Sequence, residues 1–101
     1  NFYKTKRWQK KRNRILRRDE YLCRECKRYG RTTEAQTVHH IYPLDERPDM
    51  KLDSNNLISL CFECHEQMHD REKNILTEKG FRWKEKVNPR PPEIFYEGAE
   101  D

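Results

Sequence analysis

The sequence predicts a small α+β domain stapled by a structural zinc on four cysteines. Three observations carry that expectation. Two C-x-x-C pairs stand 34 residues apart, two short β-prone runs lie between them, and a cationic helix-forming segment precedes them. With 101 residues, 33% hydrophobic and 40% charged, the chain can build one thin core. Domains of that kind are usually held by disulfides or a metal.

Taken in order, "TKRWQKKRNRILRR" reads as a helix over 5–18. Thr5 is placed to cap it, and Trp8, Ile15 and Leu16 form a narrow apolar stripe. Trp8 is read as a core anchor. "YLCRECKRYGR" reads as a turn carrying the first cysteine pair, Cys23 and Cys26. "TVHHIY", Thr37 to Tyr42, is β-branched and aromatic and reads as a strand. Prolines, acids and an Asn pair then make a loop, and "LISL" is a second strand. From Phe62 "FECHEQMHDREK" reads as a helix reaching toward Leu76. "TEKGFRWKEK" leaves helix or loop open, with Phe81 and Trp83 expected to pack back on the body. "NPRPPEIFYEGAED" is a Pro-rich acidic tail, extended or disordered.

Charge is unevenly spread. Residues 1–31 carry 13 Lys/Arg against 3 Asp/Glu, whereas the remaining 70 carry 9 against 15. A basic arm on an acidic body suits a polyanion such as nucleic acid, although a charge-rich helix can also be merely solvated. No run approaches the ~18 apolar residues of a membrane span, and no apolar signal-peptide core opens the sequence. The expectation is a cytoplasmic protein, with no membrane partner and reduced thiols.

In that setting Cys23, Cys26, Cys61 and Cys64 read as two knuckles closing a tetrahedral zinc site, rather than as disulfides. Such a site has no open position, so its role is folding stability. A Cys2His2 finger fails, because His65 adjoins its own cysteine. All four histidines remain: His39, His40, His65 and His69. On a helix His65 and His69 share a face, and on a strand His39 and His40 point to opposite sides. If His39 faces the helix, it can join His65 and His69 around a second ion. His40 is then nearby without being an equivalent ligand, free to move a proton near neutral pH. The plainer alternatives are four polar surface histidines, or one non-catalytic site formed by all four. The pairing of all four about one hairpin favours two metals.

"TVHHIYPL…SNNLISLCFECHEQMH" resembles the His-Asn-His (HNH) endonucleases of the ββα-metal, or His-Me finger, superfamily. The leading "W…R…IL.RDEYLCREC" is similar to the small HNH proteins of tailed bacteriophages. The resemblance spans about Tyr3 to His69. It implies an HNH domain over 1–86, with basic helix 5–18 and ββα core about 36–73, and a tail over 87–101. It makes His40 the general base, Asn56 the signature asparagine and His65 the last signature histidine. His39 stands where aspartate is common in the family, a change that favours softer ions than magnesium. His69 matches a third ligand of the bacteriocin subgroup. Asn56 either orients the base or ligates the metal; capping its loop is the plain alternative.

The function so implied is a DNA endonuclease, nicking or double-strand cutting. His40 and one divalent ion (Mg²⁺, Mn²⁺, Ni²⁺ or Zn²⁺) would yield 5′-phosphate and 3′-hydroxyl ends. Lys6, Arg7, Lys10, Lys11, Arg14, Arg17 and Arg18 would contact double-stranded DNA through phosphates, with little sequence preference. By analogy with phage relatives a terminase subunit is the expected partner, and the chain is expected to be a monomer. The competing readings are a non-catalytic zinc-stapled nucleic-acid-binding module and a regulatory interaction domain using the acidic tail.

Overall fold

The computed structural model describes residues 1–87. Helix α1 (Lys6–Arg18) begins at Thr5, whose Oγ1 accepts the Trp8 N–H at 3.2 Å. Its stripe buries Trp8, Ile15 and Leu16 as expected. The helix stops at Asp19, after which Glu20 and Tyr21 turn the chain through φ of 57° and 59°. The Asp19 carboxylate accepts the Ser59 N–H at 3.0 Å, tying the end of α1 to the hairpin.

Strands β1 (Thr37–His40) and β2 (Leu57–Leu60) pair antiparallel, with His39 opposite Ile58 and His40 opposite Leu57. Strand alternation gives the ribbon two faces. Val38 and Leu57 pack with Trp8, Ile15 and Leu16 in one cluster. Ile41 and Ile58 pack with the four cysteines, Met68 and Trp83 in the other. His40 therefore sits on the α1 side and His39 on the cysteine side. The expected first strand is two residues shorter than predicted, because Ile41 and Tyr42 leave the ladder to meet Asn56.

Two short helices, α2 (Arg24–Arg28) and α3 (Phe62–Glu66), each start on a C-x-x-C pair. The predicted extension of α3 toward Leu76 is not what forms. The helix ends at Glu66, and Met68, fully buried, turns inward. The carbonyls freed there are taken by Thr77, whose hydroxyl donates to Gln67 O (2.6 Å) and whose N–H donates to Met68 O (3.0 Å). His69–Asp70 (β3) and Ile75–Leu76 (β4) then form a hairpin. Asp70 Oδ1 accepts the N–H groups of Glu72 and Lys73, and Asn74 takes a left-handed φ of 54°. Six consecutive polar residues from His69 leave no apolar stripe to hold a helix.

The undecided segment "TEKGFRWKEK" is helix α4 (Glu78–Lys86), capped by Thr77. Trp83 is 4% exposed and packs on the core, whereas Phe81, two residues earlier, is 54% exposed. The tail expected at 87–101 lies outside the described residues except for Val87. Among the described residues no helix is long and apolar enough to cross a membrane.

Candidate active site and metal centres

The four cysteines converge. Cys23 Sγ accepts the Cys26 N–H (3.4 Å) and Cys61 Sγ the Cys64 N–H (3.5 Å), so each knuckle caps its own helix. All four sulfurs lie within 4.8 Å of one another and none is in a disulfide. Cys26 Sγ is 3.7 Å from Cys64 Sγ and 4.0 Å from Cys61 Sγ. A tetrahedron with arms of about 2.3 Å has edges of roughly 3.8 Å. The cluster could hold a zinc ion.

The histidines line a separate cleft of about 600 Å³, walled by Trp8, Val38, Leu44 and Leu76. His39, from β1, and His65, from α3, face each other with ring centroids 5.3 Å apart. Two imidazoles sharing one ion at about 2.1 Å hold their centroids roughly 5 Å apart. His39 Nε2 is sealed from solvent and has no hydrogen-bond partner among the described residues. Burial first, then the rings of His65, His40 and His69, push the His39 pKa down to about 3. Burial also lowers that of His65, with Glu66 opposing and Arg71 assisting. Both rings are thus neutral and can donate a lone pair. An orphaned nitrogen facing a second neutral imidazole fits a divalent transition ion.

His69 lines the same cleft but from β3, not from the helical face expected. Among the described residues, only the cysteines form a group of three or more ligands whose donor atoms all lie within 4.8 Å. His69 does not close with His39 and His65 to that spacing, because α3 ends before reaching it.

His40 is gripped on every side. Its ring stacks on Trp8 at 5.0 Å and 23°, and meets Phe2 and Tyr3 edge-on at 6.0 Å. Nε2 lies 2.9 Å from the Lys51 carbonyl. A carbonyl only accepts, so in the neutral ring Nε2 carries the proton and Nδ1 keeps its lone pair. Burial lowers the His40 pKa, with the Lys51 bond opposing.

Asn56, fully buried, sits behind this arrangement. Its Oδ1 accepts the Tyr42 N–H (2.7 Å), and its Nδ2 donates to Tyr42 O (3.1 Å) and Met50 O (3.2 Å). Those bonds pin the residues after His40 to the loop that presents Lys51 O. The amide is occupied in holding backbone.

Of the seven cations singled out in α1, Arg7, Lys10, Lys11 and Arg14 line one shallow cavity, while Lys6 and Arg17 are exposed. Arg18 is placed differently: it grips Asp19 and donates to the carbonyls of Ser54 (2.8 Å) and Leu57 (2.7 Å). The sequence reading passed over Arg12, Tyr3 and Asp45, which line the histidine cleft. Arg12 donates to Gln36 O at 3.2 Å. Its position was legible, four residues after Trp8 and three before Ile15, on the buried stripe.

A structural neighbour decides the family. It is the crystal structure of an HNH endonuclease, with manganese ion, from the deep-sea thermophilic bacteriophage GVE2. It is 38% identical, with a TM-score of 0.63, over 71% of this chain and 74% of that one. The HNH endonuclease family model also matches residues 23–71. This chain is an HNH endonuclease. No curated protein matches it. As an HNH enzyme it is a metal-dependent nuclease, which removes the non-catalytic module as a reading. The family match runs from the first cysteine to just past His69, so it takes in both clusters.

Proposed function

We propose that this HNH domain hydrolyses phosphodiesters of double-stranded DNA, with His40 as general base beside a divalent ion on His39 and His65. The observation that carries this reading is the pairing of two things in one cleft. One is an imidazole whose Nε2 is fixed on Lys51 O, leaving Nδ1 free. The other is the facing pair His39 and His65 with its orphaned nitrogen. The proposed ion rests on His39 and His65; His69 lines the same cleft, but the three do not close to within 4.8 Å of one another.

His40 Nδ1 accepts a proton from water as the water oxygen bonds to phosphorus. The bond from phosphorus to the 3′ oxygen breaks, leaving a 5′-phosphate and, after that oxygen takes a proton from solvent, a 3′-hydroxyl. An ion held by His39 and His65 would supply positive charge to the scissile phosphate and the departing oxygen. Asn56 acts as a positioning residue through the Tyr42 and Met50 backbone. The outward cations of α1 neutralise backbone phosphates without reading bases. Imidazole ligands favour Mn²⁺, Ni²⁺ or Zn²⁺ over Mg²⁺ at this site, with Zn²⁺ on the cysteines. The phage origin of the GVE2 neighbour supports a terminase subunit as the partner that targets the enzyme.

Supercoiled plasmid incubated with each of these four ions tests the reading. Nicking is expected with at least one, and His40→Ala should lower it about 10²–10⁴-fold while DNA binding persists. Full activity in His40→Ala would reject His40 as the base.

A further inference from the structure

A second cavity, of about 590 Å³, shares no lining residue with the histidine cleft. Arg18, Arg24, Lys27, Arg28 and Lys86 line it around the indole of Trp83, and among the described residues no carboxylate does. Glu25 lies buried beside it, taken by Arg28 (3.1 Å) and by the Trp83 Nε1–H (3.0 Å), and Arg18 is paired with Asp19. Among the described residues Arg24, Lys27 and Lys86 form no ion pair. The Arg24 guanidinium and the Lys86 ammonium each stand 5.3 Å from the Trp83 centroid, and that of Arg28 5.8 Å. The ring face attracts these cations, while Arg24, Lys27 and Lys86 repel one another with no paired acid among the described residues.

Arg18, Arg24 and Lys27 also line an adjoining cavity of about 340 Å³ together with Asp19 and Glu20, so the excess of positive charge is concentrated in the first cavity. Several cations around one opening suit the phosphates of a polyanion backbone. Helix α1 joins it to the cleft: Arg12 lines the histidine site and Arg18 the basic cavity. Six residues at about 1.5 Å each give a rise of roughly 9 Å along α1 between these two positions.

We propose that this cavity is a second phosphate-binding site, holding the backbone of the same duplex away from the bond being cut. Lys27, Lys86 and Arg24 make the contacts, and Arg18 fixes the cavity's position relative to the cleft. The proposal rests on the nuclease reading above, and its test separates the two. Duplex binding is measured across a salt series in the His40→Ala background without added divalent ion, so that no strand is cut. Lys27 and Lys86 are exposed, so Lys27→Gln with Lys86→Gln should keep the fold, checked by zinc content. The slope of log K against log salt is expected to fall by about 2, near 0.9 per phosphate lost. Lys73→Gln with Lys79→Gln, an equal loss of charge elsewhere, should leave it unchanged. In the His40→Ala protein without further changes, duplex should shield Lys27 and Lys86 from acetylation and leave Lys73 reactive. A slope that moves no more than in the control pair, or unshielded Lys27 and Lys86, overturns the second site. Absence of nicking by wild-type protein would instead overturn the nuclease reading and leave the binding result standing.

Discussion

His40 does its proposed work because the chain has already chosen its tautomer and its solvation. The Lys51 carbonyl takes the Nε2–H, Trp8 covers one ring face, and Nδ1 is left for the water. Burial resists a positive charge there, so the pKa falls below the ordinary 6.5. The unfolded chain therefore binds this proton first, and stability that is full above about pH 6.5 is lost as pH falls toward the folded value. For catalysis, the acid limb of kcat/KM against pH is expected below 6.5 in metal-loaded enzyme. Trp8→Leu, which opens one ring face, should move that limb upward. A limb that stays in place would show that burial by Trp8 does not set it. Asn56→Ala leaves the part-buried N–H and carbonyl of Tyr42 without partners, each loss costing about 1–3 kcal/mol, and takes one of two donors from the Met50 carbonyl, which keeps the Asp53 N–H. A fall in melting temperature together with kcat is expected, because the same bonds hold the loop behind His40.

Helix α4 earns its place by a close approach. A Cβ on Gly80 would stand 2.5 Å from Met68 O and 2.5 Å from Leu76 Cγ. Alanine normally favours a helix over glycine by about 1 kcal/mol, yet here the backbone carbonyl cannot yield. Gly80→Ala is expected to destabilise the domain by roughly 1–3 kcal/mol in a denaturant titration. A stabilised variant would show that α4 moves freely against the β3–β4 hairpin. One turn on, Trp83 donates to the buried Glu25 carboxylate from the far end of the chain. Trp83→Phe removes that donor from a charged group with one oxygen already unpartnered. The expected loss is about 2–4 kcal/mol, larger than the change in apolar area alone would give.

At the scale of the whole molecule, the proposed function divides the labour between two centres. The sulfur cluster joins α2 to α3 across 34 intervening residues, and the hairpin that carries His39 and His40 lies between them. Closing so long a loop with a metal on these sulfurs would offset much of the chain entropy that a thin core cannot. Cys61→Ser is therefore expected to unfold the protein or lower its melting temperature severely. His65→Ala should keep the fold, by circular dichroism, and lose cleavage. Equal, mild effects from both changes would end the distinction between a structural and a catalytic ion.

Much of this was set by local chemistry. Thr5 and the Trp8–Ile15–Leu16 stripe determined α1, β-branched runs determined the hairpin, and the spacing of four cysteines determined the clamp. Each depends on neighbours within a few residues or on covalent ligand chemistry, and so is written in the chain. Other features depended on what lay opposite. Only packing ended α3 at Glu66, by drawing Met68 inward and handing the freed carbonyls to Thr77, so His69 arrives on a strand. Only tertiary contact bonded Arg18 to the hairpin carbonyls, brought Arg12 into the cleft, and set the His40 tautomer through Lys51. Those outcomes turn on partners far along the sequence, whose distance is settled by the fold rather than by any local preference.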